Sequence, residues 1–250
     1  MNTGSKFKKI QVSSVKEQFK QELVNMILSG KLSPGEPLPT ERQLAADMGI
    51  SKTVVHEGIR DLVQMGFLDN LSHRGVVVTD YAITGNIETL ITVLNYHQGQ
   101  VDSRTAQGVV DFCEWVECPS LRRVAERHTE RDIRTLRELV HQTRGASLVS
   151  VEDMGKIWAS FHRQIVFLSG NPLLPLLYSS MMQIGLPVFN EWCRFSGPEP
   201  IVKCISGIVD DIEAGDGNAA ILRFRSSAAK FRNFIQTHKD KFRQDTWSPD

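Results

Sequence analysis

Apolar residues recur at helical spacing through the first quarter of the chain. A helix is predicted between about Ser13 and Ser29. Its apolar face consists of Val15, Phe19, Leu23, Met26 and Ile27. Glycine and proline then interrupt the pattern from Gly30 to Pro39, which predicts a bend before the next helix.

Two short helices are predicted directly after this bend. Thr40 and Gln43 have the spacing of a capping box, and Gly49 suits the positive φ that ends a helix. Ser51 caps the second helix. The core-facing residues of the second helix are Val55, Ile59, Leu62 and Val63. Gly58 lowers helix stability, so its presence predicts a close neighbour at that position.

The opposite face of the second helix carries polar side chains: Lys52, Thr53, His56 and Arg60. Basic and hydroxylic residues on an exposed helix suit major-groove recognition, since Lys and His can donate to guanine edges. Phe67-Leu68 and residues 76–78 then predict two short strands around a basic hairpin tip at 70–75. The pattern predicts a winged helix-turn-helix that binds DNA. An ordinary helical hairpin with solvated charges is the alternative.

This region resembles the GntR family of bacterial transcription factors. Three segments carry the resemblance in order: ILSGKLSPG from Ile27, LPTERQLA from Leu38 and ISKTVV from Ile50. The resemblance implies that Arg42, the side chains at positions 52 and 56, and the wing contact operator DNA. The full candidate DNA-binding set is Thr40, Arg42, Ser51, Lys52, Thr53, His56, Arg60, His73, Arg74 and Gly75. Lys52 and His56 stand where the family usually has Arg, which changes the expected operator sequence.

Composition is that of an ordinary globular protein, with 41% hydrophobic and 23% charged residues and no net charge. DNA binding therefore depends on local charge placement. Four cysteines without a CxxC pair, no membrane-spanning apolar run and no signal-peptide core predict a cytoplasmic protein without a membrane partner. Residues 1–12 are expected to form a flexible leader; its lysines leave a DNA-tracking arm as the alternative.

The predicted fold class is mainly α, with a winged helix-turn-helix at 13–80, a linker at 81–85 and an all-helical domain at 86–245. Helices are expected at about 86–98, 103–117, 119–127, 130–144, 151–169, 172–195, 199–214 and 217–242. This domain resembles the ligand-binding domain of the FadR branch of the GntR family. Phe161-His162, residues 169–173 and residues 214–216 carry that resemblance. It implies a homodimer that senses a small metabolite.

Many members of the FadR branch bind a divalent metal through one carboxylate and three histidines. The corresponding positions here hold Trp158, Ile205 and Ser227, and only His162 remains. We therefore expect no metal and no other cofactor, with a rebuilt metal site as the alternative. Cys113 stands where the branch commonly has Arg, one turn before Glu117.

Loss of the metal ligands predicts a drier cavity and an apolar or amphipathic, acyl-like effector. Its candidate contacts are Trp158, His162, Tyr178, Trp192, Cys113 and Glu117. The alternative is a collapsed bundle in which the aromatic side chains are core. The cations of the last helix are interpreted as a solvated face or as a phosphate-binding surface: Arg223, Arg225, Lys230, Arg232, Lys239, Lys241 and Arg243.

The leading hypothesis is a homodimeric, effector-controlled regulator that binds double-stranded operator DNA. A constitutive DNA-binding dimer is one alternative. An all-helical enzyme is another, although the sequence has no nucleophile elbow, P-loop or HExxH motif.

Overall fold

The computed structural model describes residues 14–71, 75–97, 100–146 and 150–242. The chain divides into two compact units, Met1–Tyr96 and His97–Asp250. We refer to them as the N-terminal unit and the helical unit. The predicted leader at 1–12 and the wing residues His73 and Arg74 lie outside the described residues.

The N-terminal unit contains a winged helix-turn-helix, as the sequence pattern predicts. Its helices and strands are α1 (Val15–Leu28), α2 (Glu41–Met48), α3 (Lys52–Gln64), β1 (Leu68–Leu71), β2 (Gly75–Val78), α4 (Tyr81–Thr84) and α5 (Ile87–Tyr96). The capping box at α2 is present, since the Gln43 amide donates to Thr40 Oγ1 and Gln43 Oε1 accepts from the Thr40 amide. Gly49 ends α2 at φ 65°, and Ser51 caps α3.

The core of the N-terminal unit lies between α1, α3 and the hairpin. Its buried residues include Phe19, Leu23, Ile27, Val55, Ile59, Leu62 and Phe67. Val63 and Met26 are half-buried against this core, and Val15 is exposed at the first turn of α1. The predicted apolar faces are therefore confirmed near their centres and are less buried at their margins.

The hairpin pairs β1 with β2 in antiparallel register from Leu68↔Val78 to Leu71↔Gly75. The prediction of strands at 67–68 and 76–78 located the hairpin but made its first strand too short. Residues 70, 71 and 75, which were assigned to the tip, belong to the ladder. The segment before α2 covers one edge of the hairpin, because the Leu38 amide donates to the Val76 carbonyl at 2.8 Å.

Residues 81–85, the predicted linker, include the short helix α4 and pack on the end of α3. The Thr84 hydroxyl donates to the Gly66 carbonyl at 2.8 Å, and the side-chain amide Nδ2 of Asn86 donates to the Gln64 carbonyl at 3.0 Å. These donors satisfy carbonyls that the end of a helix leaves unpaired. Helix α5 packs against α1, so the division between the units falls after Tyr96 rather than at 81–85.

The helical unit consists of α6 (Ser103–Arg127), α7 (Glu130–Ala146), α8 (Val151–Leu168), α9 (Leu174–Ser196), α10 (Glu199–Glu213) and α11 (Gly217–Thr237), followed by a 3₁₀ turn at Lys239–Lys241. Helix α6 packs against α8, α9, α10 and α11. Two helices were predicted at 103–117 and 119–127, but they form one helix through Pro119. In the described ranges, no helix has the length and apolarity needed to span a bilayer.

The close neighbour expected at Gly58 is Phe19 of α1. A Cβ on Gly58 would overlap Phe19 Cδ1 and lie 2.7 Å from Cε1. Phe19 is only 2% exposed, so its ring has little room to move. The missing side chain at Gly58 therefore lets α3 pack directly on α1.

We predict that Gly58→Ala destabilises the N-terminal unit. Overpacking costs about 1–3 kcal/mol, which exceeds the gain of about 1 kcal/mol from helix propensity. Hydrogen exchange of α1 and α3 peptides in the full chain should show faster opening. Gly108→Ala is the matched control, because Gly108 lies in α6 with open space around it. Equal protection in Gly58→Ala and wild type would contradict the packing assignment.

Candidate DNA-binding surface and effector cavity

The candidate DNA-binding residues that the structure describes come from α2, α3 and the hairpin and from the caps of α2 and α3. All of the described members are exposed: Thr40, Arg42, Ser51, Lys52, Thr53, His56, Arg60 and Gly75. Ser51 Oγ accepts the Val54 amide at 3.3 Å, which defines where α3 begins. The cap leaves the Ser51 hydroxyl proton free, whereas the Thr40 hydroxyl donates to Gln43 Oε1 at 2.8 Å.

Glu41 contacts two of the candidate DNA-binding side chains, Lys52 and His56. Its Oε1 lies 2.8 Å from His56 Nδ1, and its Oε2 lies 4.0 Å from Lys52 Nζ. The His56 and Lys52 side chains are still 65% and 69% exposed. Glu41 is in the first turn of α2, so this contact crosses between the two helices. Sequence reasoning missed it, because no local spacing relates position 41 to position 56.

Ion pairs to Asp61 join α3 to α1. Lys16 Nζ and Lys20 Nζ lie 3.0 Å and 3.3 Å from Asp61 Oδ2. Burial opposes ionisation of Asp61, but the hydrogen bonds and charges of both lysines outweigh it and lower the pKa of the carboxyl. The ion pairs reinforce the α1–α3 packing that presents the exposed face of α3.

A cavity lies within the helical unit, between α6, α8, α9, α10 and α11. Its volume is about 60 Å³, and its wall is mainly apolar and aromatic. The Trp158 indole stacks on the Phe189 ring with centroids 3.6 Å apart, and Trp192 stacks on Phe231 at 5.7 Å. Phe224 lies across from His162, with ring centroids 5.8 Å apart. The aromatic residues therefore form walls around the space rather than a solid core.

A buried carboxylate provides the polar part of the cavity. Glu117 of α6 is 1% exposed, and its Oε1 accepts the Tyr178 hydroxyl at 2.6 Å. Its Oε2 contacts Nδ1 of His162 from α8. His162 lines the cavity, and no hydrogen-bond partner reaches its Nε2 within the described part of the chain. A buried polar atom without a partner is costly, so Nε2 is a ready site for a ligand atom.

Burial also determines the charge state of two groups beside Glu117. It raises the pKa of the Tyr178 hydroxyl, and the charge of Glu117 raises that pKa further. Burial and then the same carboxylate raise the pKa of the Cys113 thiol. Tyr178 therefore remains a donor and Cys113 a neutral thiol at ordinary pH.

Five of the six predicted effector-binding residues line the cavity: Trp158, His162, Trp192, Cys113 and Glu117. The sixth, Tyr178, is not among the residues that line the cavity. Tyr178 is fully buried, and its hydroxyl donates to Oε1 of Glu117. Sequence reasoning missed the wall residues Met182, Phe189, Cys204, Phe224 and Phe231. Helical spacing between Phe189 and Trp192, and between Phe224 and Phe231, was the available signal.

The cavity wall does not fit the metal site of the FadR branch. Trp158 and Ser227 line the cavity, but Ile205 does not; on α10 the wall residues are Ile201 and Cys204. Across residues 14–71, 75–97, 100–146 and 150–242, no three His, Cys, Asp or Glu side chains are grouped to hold a metal ion. The Nδ1 atom of His162 is also occupied by Glu117.

Comparison with known families identifies both units. Residues 15–78 match the model of the gntR family of bacterial regulatory proteins, and residues 109–226 match the FCD domain model. The chain belongs to the GntR family. It is a DNA-binding transcriptional regulator with an FCD ligand-binding domain.

Relatives of this GntR regulator cover much of its length. The transcriptional regulator Mce2R of Mycobacterium tuberculosis is 25% identical over 67% of this chain and 68% of its own. The galactonate operon repressor of Escherichia coli is 24% identical over 79% of this chain and 86% of its own. A solved structure of Lar, described as controlling the Listeria monocytogenes agr system, has a TM-score of 0.58 at 18% identity. The match covers 91% of this chain and 99% of the Lar chain, which supports the predicted fold.

We predict that Tyr178→Phe destabilises the helical unit by about 1–3 kcal/mol at pH 7, because Glu117 loses a buried donor. In the unfolded wild-type chain, the Tyr178 phenol ionises at its ordinary pKa of 10.0. In the folded protein, its pKa is raised well above that value. Stability therefore falls as pH rises above 10, and this part of the loss should be absent in the variant. Urea unfolding at pH 7, 9 and 11 measures both effects; parallel pH profiles would contradict the assignment.

Proposed function

We propose that this regulator binds operator DNA as a homodimer in the cytoplasm and that a small metabolite in the cavity controls binding. The observation that carries the proposal is the unpartnered Nε2 of His162 in the wall of an apolar cavity. A position of this kind accepts a ligand's polar atom, while the aromatic wall accepts its apolar part. The FCD domain is the ligand-binding part of the chain, which agrees with this site.

On the DNA side, we assign direct recognition to the start of α3. Lys52 and His56 are exposed there and can donate to base edges or phosphates, and the Thr53 methyl can contact thymine. Arg42 and Arg60 are assigned to phosphates on either side. The Ser51 hydroxyl has a free proton for a phosphate, whereas the Thr40 hydroxyl is engaged with Gln43. The wing residues His73, Arg74 and Gly75 remain candidates for minor-groove contact.

In this proposal, Glu41 competes with DNA for two of these donors. Its carboxylate holds His56 and faces Lys52, so DNA phosphates must compete with it for the same donors. A point charge on Lys52 and an imidazole at 56 also lack the planar fork with which Arg reads guanine. We therefore propose an operator that differs from that of relatives with Arg at these positions.

We predict that the double variant Lys52→Ala/His56→Ala loses about 10- to 100-fold in affinity for DNA selected from a random duplex library. Lys31→Ala, which removes another exposed lysine of the N-terminal unit, should bind like wild type. Fluorescence anisotropy at fixed salt measures affinity, and circular dichroism checks the fold. Unchanged affinity in the double variant would mean that another surface reads the DNA.

On the effector side, we propose an apolar or amphipathic metabolite. A long acyl chain exceeds 60 Å³, so only a compact apolar group enters the cavity without rearrangement. Control of DNA binding then follows from population shift: the effector binds one dimer geometry better, and that geometry sets the spacing of the two α3 helices. Even a small change in spacing weakens the simultaneous binding of both half-sites.

A constitutive DNA-binding dimer is the second candidate function. The small cavity volume favours it, because the Trp158–Phe189 stack already occupies much of the space between α8 and α9. The family and the relatives are transcription regulators, which disfavours the all-helical enzyme.

We predict that a metabolite found by thermal-shift screening of wild type also changes operator affinity, and that His162→Leu abolishes this response while keeping DNA binding. A ligand at 100 times its Kd stabilises the native state by about 2.7 kcal/mol, which makes it visible in such a screen. His128→Leu, a histidine outside the cavity wall, is the matched control. Operator release that is equal in wild type and His162→Leu would exclude this cavity as the effector site.

A further inference from the structure

A large open groove lies directly beside the cavity. It is formed by α10 and α11 and has a volume of about 670 Å³. Four wall residues belong to both spaces: Trp192, Ile201, Cys204 and Ser227. These four side chains therefore face both the groove and the cavity.

The cavity is too small to hold a whole effector of ordinary size. Small-molecule sites commonly enclose about 300–1,000 Å³, and the cavity of 60 Å³ is far below that range. A metabolite of ordinary size that places one end against His162 must therefore extend outward. The groove provides the missing volume on the side of α10 and α11.

The groove is positively charged, unlike the cavity. Three cations line it, Lys203 from α10 with Arg223 and Lys230 from α11, against the single carboxylate of Glu199. Arg223 is already paired, because its Nε lies 2.8 Å from Asp211 Oδ2. Among the described residues, no ion pair joins Lys203 or Lys230 to a carboxylate, and both are exposed.

Cys204 lies where the two spaces meet, and opposite charges act on it. Burial raises the pKa of its thiol, and the charge of Glu117 inside the cavity adds to that rise. A hydrogen bond with Ser227 and the charges of Arg223 and Lys230 in the groove act in the opposite direction and favour the thiolate.

We propose that the groove between α10 and α11 is the entrance to the effector cavity and that Lys203 and Lys230 bind the anionic end of an amphiphilic effector. The apolar end enters the aromatic cavity, and a polar atom reaches Nε2 of His162. The anionic group, a carboxylate or phosphate, stays outside because Glu117 already places a carboxylate within. This inference rests on the proposed effector function and names the ligand class.

Charge selectivity of the entrance can be tested without the natural effector, using Cys204 as a reporter. The other three cysteines are buried, whereas Cys204 is half-buried at the groove. Iodoacetate and iodoacetamide alkylate a thiolate by the same displacement of iodide and differ in charge. Mass spectrometry of the Cys204 peptide gives the ratio of the two rates, and the ratio cancels any change in the thiol pKa.

The native full chain should show an iodoacetate-to-iodoacetamide ratio about threefold or more above that of the urea-unfolded chain. Salt should reduce this preference, since it screens exposed charges. Lys203→Gln/Lys230→Gln should bring the ratio close to the unfolded value. Lys31→Gln/Lys156→Gln, which removes two exposed lysines elsewhere, should leave the ratio unchanged.

Any of three results would contradict the proposed entrance. They are no labelling of Cys204 in the native chain, a native iodoacetate-to-iodoacetamide ratio no higher than that of the unfolded chain, and a ratio that Lys203→Gln/Lys230→Gln does not change. None of these results affects the operator response of wild type and His162→Leu. Failure of the entrance and failure of the effector function are therefore distinguishable.

Discussion

The buried carboxylate of Glu117 is the interaction on which the helical unit depends. Removing a carboxylate from water costs several kcal/mol unless donors replace the lost solvent. Tyr178 from α9 and His162 from α8 provide that replacement, so three helices must meet at one point. The geometry leaves His162 with one nitrogen bound and the other facing a cavity. The contacts that satisfy Glu117 thus also position the nitrogen that we propose as the polar ligand site.

Charge placement has a comparable role in the N-terminal unit. The Asp61 ion pairs hold α3 on α1, and the absence of a side chain at Gly58 allows the two helices to approach closely. On the exposed face, Glu41 holds His56 beside Lys52 before any DNA is present. In the proposed mode of DNA binding, the same carboxylate competes with DNA phosphates for these two donors.

Replacement of the metal ligands changes what the helical unit can recognise. A metal shell favours small, multiply charged chelators, whereas this wall is aromatic and contains one buried carboxylate. The cavity wall contains the carboxylate of Glu117, whereas Lys203 and Lys230 line the adjoining groove, where we propose that an anionic group binds. An amphiphile with its charge at one end satisfies both environments. The departure from the branch therefore points to a different class of effector.

The sequence alone determined what depends on neighbours a few residues apart. Helix caps at Thr40 and Ser51, the apolar faces of α1 and α3, and the family motifs follow from short-range spacing. Only the tertiary structure decided contacts between residues far apart in the chain. Glu41 meets His56 across two helices, Tyr178 supports Glu117 rather than lining the cavity, and Ile201 and Cys204 are the α10 residues of the cavity wall. Such contacts depend on how each helix is rotated about its axis and shifted along it. The hydrophobic pattern of the sequence fixes these two quantities to about one residue at best.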